Sequence, residues 1–185
     1  MSIIFYMWYE ILKQVIFDMQ EPIGYMPCAV VIAILTFSIF SIVFNNKEKK
    51  TAVLYFYRIL FAVYVLVVVQ LAFFSREPGS RDGVNLVLLS TWGDNVYTHA
   101  FFVENILMFV PFGILVPLCF SWMRPMLRCI LCGCSCSIVL GLCQLWTKRG
   151  FCELDDVLTN TVGVLCGCLI LRLLERLVGD GRRKS

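Results

Sequence analysis

A chain of 185 residues that is 59% hydrophobic and 16% charged, with a mean hydropathy of +0.81, is no ordinary soluble domain, since those carry about 25% charged residues. At about 20 residues per bilayer crossing, it holds about four to six spanning helices and leaves no room for a soluble domain of usual size. The net charge of +3 comes with no basic patch and no nucleic-acid-binding motif, which excludes nucleic acid as a partner.

Residues 1–22 lack the basic start, short apolar run and cleavage site of a secretory signal. Glu10, Lys13, Gln14, Asp18 and Glu21 recur at three- and four-residue spacing and set one polar stripe against Phe5, Tyr6, Trp8, Tyr9 and Phe17. The pattern predicts an amphipathic helix lying in the membrane interface. Read instead as a first span, it must turn two acids and one base against the bundle.

Residues 23–180 then form the transmembrane domain, with spans at 24–44, 53–74, 98–120, 126–147 and 157–178, and residues 181–185 a basic tail. All five spans must be helices, because hydrocarbon leaves open backbone groups unsatisfied. The expected architecture is therefore all-α, a polytopic bundle of five spans with an amino-terminal interfacial helix. Connections 45–52, 121–125 and 148–156 are short, and only 75–97, with Pro78, Gly79 and Gly83, is long enough to fold over a membrane face.

Basic residues set the orientation. Lys47, Lys49, Lys50, Arg124, Arg128, Arg172, Arg176, Arg182, Arg183 and Lys184, ten in all, fall on one side, against Arg76, Arg81, Lys148, Arg149 and Lys13 on the other. The first set belongs in the cytoplasm with the carboxyl terminus, which puts the amino terminus outside. Ten of the thirteen acids then lie on the outer side.

On that side the apolar pattern is broken. Glu104 and Asn105 open the third span, Gln144 closes the fourth, and Arg149, Glu153, Asp155, Asp156 and Asn160 lead into the fifth. Each charge costs roughly 2.5–3.5 kcal/mol at a helix centre, so their accumulation at one level marks a candidate ligand-binding cluster. Asp155 and Asp156 also suit the positive end of a helix. One acid is enough for capping, and the second, with Glu153 and Arg149 nearby, can bind a cation or a polar headgroup.

Asp156, Asn160, Gly163 and Gly167 share one face of the fifth span, and Gly133, Ser137 and Gly141 form a small-residue ladder on the fourth. Such ladders admit close helix contact in lipid, which predicts a seam between these two spans with Asn160 hydrogen-bonded across it. Pro111 removes an amide from the third span, frees the carbonyl of Leu107 and predicts a bend. His99 is expected at the interface.

The ten cysteines read as small apolar filler and not as a metal site, because Cys129, Cys132 and Cys136 lie on one face of a single helix while zinc wants four convergent ligands. The pairing of Cys143 and Cys152, near the outer face, stays open. No glycine-rich phosphate loop, serine-nucleophile elbow or zinc-protease motif points to a cofactor or a catalytic residue.

Asn105-Ile-Leu-Met-Phe-Val-Pro111-Phe112-Gly113, Gln144, and the run Arg149-Gly-Phe-Cys-Glu153-Leu-Asp155-Asp156-Val-Leu-Thr-Asn160-Thr-Val-Gly163 together resemble the VanZ-like family of bacterial membrane proteins. Arg81-Asp-Gly-Val-Asn85-Leu86 is similar to the Asn-Leu element of that family, and the likeness covers roughly residues 55–178. Two departures stand out. Val87-Leu88-Leu89 replaces an aliphatic residue and Pro-Phe, and Gly141 stands where many members carry Glu.

The resemblance implies a protein of the bacterial cell membrane that lowers susceptibility to teicoplanin, a lipoglycopeptide acting at the outer membrane surface. The leading reading is an outward polar site that binds a lipid headgroup, a cell-wall precursor or the lipoglycopeptide itself, within the lipid bilayer and without a cofactor. In that reading Arg149 grips phosphate. An intramembrane enzyme acting on a lipid-linked substrate is the alternative, with paired carboxylates as acid and base. A small transporter or channel comes third, since the inner halves of the spans are almost purely apolar.

Overall fold

The computed structural model describes residues 3–18, 20, 49–74, 79, 83–89, 92 and 96–183. The expected span at 24–44 therefore lies outside the described residues, as do Arg76 and Arg81. Helix α1 is Ile3–Asp18, and α2 is Lys49–Val69, closed by a π-helical turn at Gln70–Phe74. A two-residue strand β1 (Val84–Asn85) precedes α3 (Val96–Cys119). A 3-10 turn at Ser121–Met123 leads to α4 (Met126–Trp146), and β2 (Cys152–Glu153) leads into α5 (Leu154–Arg183).

The fold is an all-α bundle. Thr51–Phe73, Val96–Cys119, Met126–Trp146 and Leu154–Val178 are long and apolar enough to cross a membrane. These spans agree with the expected 53–74, 98–120, 126–147 and 157–178 to within three residues at every end. Helix α1, described over 16 residues, is not among them. Pro125, in extended conformation, starts α4, and Lys148, with φ of +54°, follows its last turn.

Helices α3 and α5 run the same way and touch through backbone. A Cβ added to Gly163 lands on the carbonyl oxygen of Ile106, one at Gly167 on that of Val110, and one at Gly113 on that of Val164. The sequence pattern places Gly163 and Gly167 in the seam with the fourth span. The structure assigns them to the third, because Gly113 supplies the complementary small position opposite. The α4–α5 seam is made instead at Gly133, where a Cβ comes 2.5 Å from Cγ2 of Val164.

The core around these seams is Phe109, Phe112, Val116, Met123, Cys129, Val164 and Cys168. All the described cysteines, Cys143 and Cys152 included, are free thiols. Helix α1 docks on α3 by burying Ile11 and Val15 against Ala100, with Val96 and Val103 alongside. Its Phe5, Tyr6, Trp8, Tyr9 and Phe17 stay exposed.

Candidate functional site

The ends of α2 and α4 and the starts of α3 and α5 meet at one end of the bundle, where a short loop lies against α5. Strands β1 and β2 pair in parallel, Val84 with Cys152 and Asn85 with Glu153, and the Cys152 amide donates to the Gly83 carbonyl at 3.0 Å. Asn85 Oδ1 accepts from the Val87 amide at 3.2 Å. Leu89, with φ of +58°, donates its amide to Asp155 Oδ1 at 2.6 Å. The loop is thus fastened at both ends to the segment that opens α5.

Below it lies a cavity of about 290 Å³ walled by α2, α3, α4, α5 and the end of α1. Glu104 and Asn105 of α3, Gln144 of α4, Glu153 of β2 and Asp156 and Asn160 of α5 line it, together with Asp18 of α1. Tyr64, Val67, Leu71, Leu107, Met108 and Leu140 form its apolar wall. From Glu104 to Pro111 it follows α3 for about 10 Å by helical rise. A volume near 300 Å³ is at the small end of ligand pockets, and few convergent polar groups on an apolar wall is their usual make-up.

The hydrogen bonds connect helices that would otherwise meet only through apolar contact. Asn105 Nδ2 donates to Asp156 Oδ1 at 2.7 Å, joining α3 to α5. Asn160 Nδ2 donates to Ser137 Oγ at 2.8 Å, the α4–α5 bond expected from the pattern. Tyr64 donates its hydroxyl to the Met108 carbonyl at 3.0 Å, beside Pro111, through which α3 continues as helix. The carbonyl used is thus Met108, next to the Leu107 carbonyl that proline frees.

The π-helical turn of α2 leaves carbonyls unpaired at a helix end, and two polar side chains take them. Gln144 Nε2 donates to Ala72 O at 3.3 Å, and Arg149 Nη1 donates to Phe73 O at 2.6 Å. Arg149 therefore caps α2, where its charge suits the negative end of the helix dipole, and does not line the cavity. Asp155, 2% exposed, is likewise committed to the Leu89 amide and stays off the cavity wall. The other six residues of the expected cluster are brought together around one space.

In the sequence Asp18 belongs only to the polar stripe of residues 1–22. Gln14 Nε2 donates to both of its oxygens, at 3.0 and 2.9 Å, and its carboxyl comes within hydrogen-bonding reach of Glu104. The signal in the sequence was a carboxylate in the last turn of a helix, where the dipole disfavours it unless another partner is present. Glu104 Oε1 and Asn160 Oδ1 are buried without a hydrogen-bond partner among the described residues.

His99, expected at the interface, is buried under Trp92, with ring centroids 4.2 Å apart. Gly141 lines the cavity, and a Cβ there meets Cys152 Sγ at 3.3 Å. Among the described residues no three His, Cys, Asp or Glu side chains converge as metal ligands.

A comparison with known protein families matches residues 61–175, more than half of the chain, to VanZ/LLP1. The chain belongs to the VanZ/LLP1 family. No curated protein and no solved structure shows a significant match to it. The VanZ/LLP1 segment begins at Phe61 in α2 and ends at Glu175 in α5, so it contains every residue lining the cavity except Asp18. Asp18, the carboxylate that α1 brings to the cavity, lies outside that segment.

Proposed function

We propose that this VanZ/LLP1 protein binds the headgroup of a lipid or lipid-linked envelope component in its polar cavity. By doing so it lowers the susceptibility of a bacterial cell to lipoglycopeptide antibiotics such as teicoplanin. The observation that carries the reading is the cavity itself, with acids and amides of the family segment at one end and an apolar wall along the spans. A ligand with a polar head and a hydrocarbon tail matches both parts.

In this reading the cavity opens to the exterior, as the distribution of bases favours, and α1 lies in the interface with its aromatic side chains among the lipid headgroups. Orientation has a direct check. In a cysteine-free background, Lys148→Cys, on the exposed turn after α4, is expected to react with a membrane-impermeant maleimide added to intact cells. Labelling only after lysis would overturn the outward placement.

The function is tested by susceptibility. Asp156→Ala and Asn160→Ala, each at wild-type membrane abundance, are expected to return the teicoplanin inhibitory concentration to that of cells lacking the protein. Full protection by both variants would sink the reading.

A further inference from the structure

The hydrogen-bonding inventory of the cavity is one-sided. Asp18, Glu104, Glu153 and Asp156 line it. The Asp18 and Glu104 carboxyls, within hydrogen-bonding reach of each other, pair by sharing a proton, and ionised carboxylates only accept. Each amide has spent one of its two donors on the protein, Asn105 on Asp156, Asn160 on Ser137, and Gln144 on the Ala72 carbonyl, and the Ser137 hydroxyl, also on the wall, can donate. Among the described residues that line it there is no lysine, arginine or histidine. Asn160, 5% exposed, has its Oδ1 buried and unpartnered among the described residues, and so does Glu104 with its Oε1. Buried acceptors without donors are costly, and both belong to residues on this one wall.

We infer that the cavity takes a primary ammonium group carried on a short carbon chain. This deepens the headgroup reading and rests on it. An ammonium brings three donors and a positive charge, which complete Asn160 and Glu104 and offset the carboxylates. Its carbons lie against Tyr64, Leu107 and Met108. A bare phosphate or carboxylate meets like charge from the acids of this wall, and Arg149 directs Nη1 at the Phe73 carbonyl. The ammonium has two sources, an ethanolamine-type lipid headgroup or a soluble amine.

The test titrates the purified full chain in detergent with short-chain phospholipids whose headgroups are ethanolamine, its N-methylated series up to choline, and glycerol. Affinity is expected to fall as N–H donors are lost, with choline weaker than ethanolamine by about tenfold or more, the worth of charge-assisted hydrogen bonds. Glu104→Gln and Asn160→Leu are expected to flatten this series. The wild-type series stands whether or not the variants fold.

Free ethanolamine or spermidine displacing the lipid at similar concentration supports the ammonium chemistry and names a soluble source, whereas no displacement supports the lipid. Glycerol lipid binding as tightly as ethanolamine lipid overturns the ammonium inference and leaves the headgroup reading standing. Saturable binding of none of these lipids or amines overturns both.

Discussion

Gly163→Ala is expected to destabilise the protein by about 3 kcal/mol or more, beyond the usual 1–3 kcal/mol of overpacking. The added methyl would land on the carbonyl oxygen of Ile106, with the Ile106 carbonyl carbon at 3.1 Å and Phe109 Cβ at 3.0 Å. Two of these atoms are backbone of α3, so no rotamer change relieves the clash and the helices must separate. In lipid, helix association rests on packing of this kind and not on a hydrophobic difference from the surroundings.

Gly141→Ala is the comparison, because its methyl meets the Cys152 sulfur at 3.3 Å and the Cys152 Cα at an ordinary 3.9 Å. It is expected to change stability by less than about 1 kcal/mol. Thermal unfolding in detergent, followed by a thiol-reactive dye that reports exposure of the buried Cys129 and Cys168, reads both variants. Equal melting of Gly163→Ala and wild type would mean that the α3–α5 seam is looser than described.

Asp155→Ala is expected to cost about 2–3 kcal/mol, the range for a hydrogen bond to a charged group that leaves its partner unpaired. The side chain does two things at once. Its Oδ1 accepts the Leu89 amide at 2.6 Å, and its charge sits in the first turn of α5, where the helix dipole favours it. The ladder beside it is two residue pairs long, far short of independently stable sheet. Other ties among the described residues are at Gly79, whose amide reaches the Lys148 carbonyl, and at Trp92, packed on His99. Amide exchange at Val87–Leu89 is therefore expected to accelerate much more than exchange in the α3–α5 core. Asp155→Asn keeps an acceptor oxygen and is expected to lose about half as much. Unchanged exchange at Leu89 in Asp155→Ala would show that something other than this carboxylate holds the loop.

Asp155 and Arg149 illustrate why part of the site was not readable from the chain alone. Both lie in the same short run as Asp156, and periodicity gives no means of separating a carboxylate that faces a cavity from one that faces a loop amide. The distinction came from the path of residues 83–89, which place the Leu89 amide over one acid and leave the next to Asn105. Arg149 was drawn off by the π-helical turn of α2, whose free carbonyl at Phe73 had no signature in the apolar stretch from Val65 to Phe74. The glycine seam followed the same logic. Gly163 and Gly167 announced close approach, but the partner depended on which helix carried a small residue at the matching height, and that was Gly113.

By itself the amino-acid order determined the all-α membrane architecture, four span boundaries to within three residues, and the gathering of Glu104, Asn105, Gln144, Glu153, Asp156 and Asn160 at one end. These follow from burial cost and helix length, which are local and additive along the chain. Only the tertiary structure decided that Asp18 joins the cavity wall, that Asp155 and Arg149 serve as fasteners, and that the buried Asn160 Oδ1 and Glu104 Oε1 lack donors among the described residues. Those facts depend on which backbone carbonyls and amides meet across helices distant in sequence, and hydropathy carries no record of such pairings.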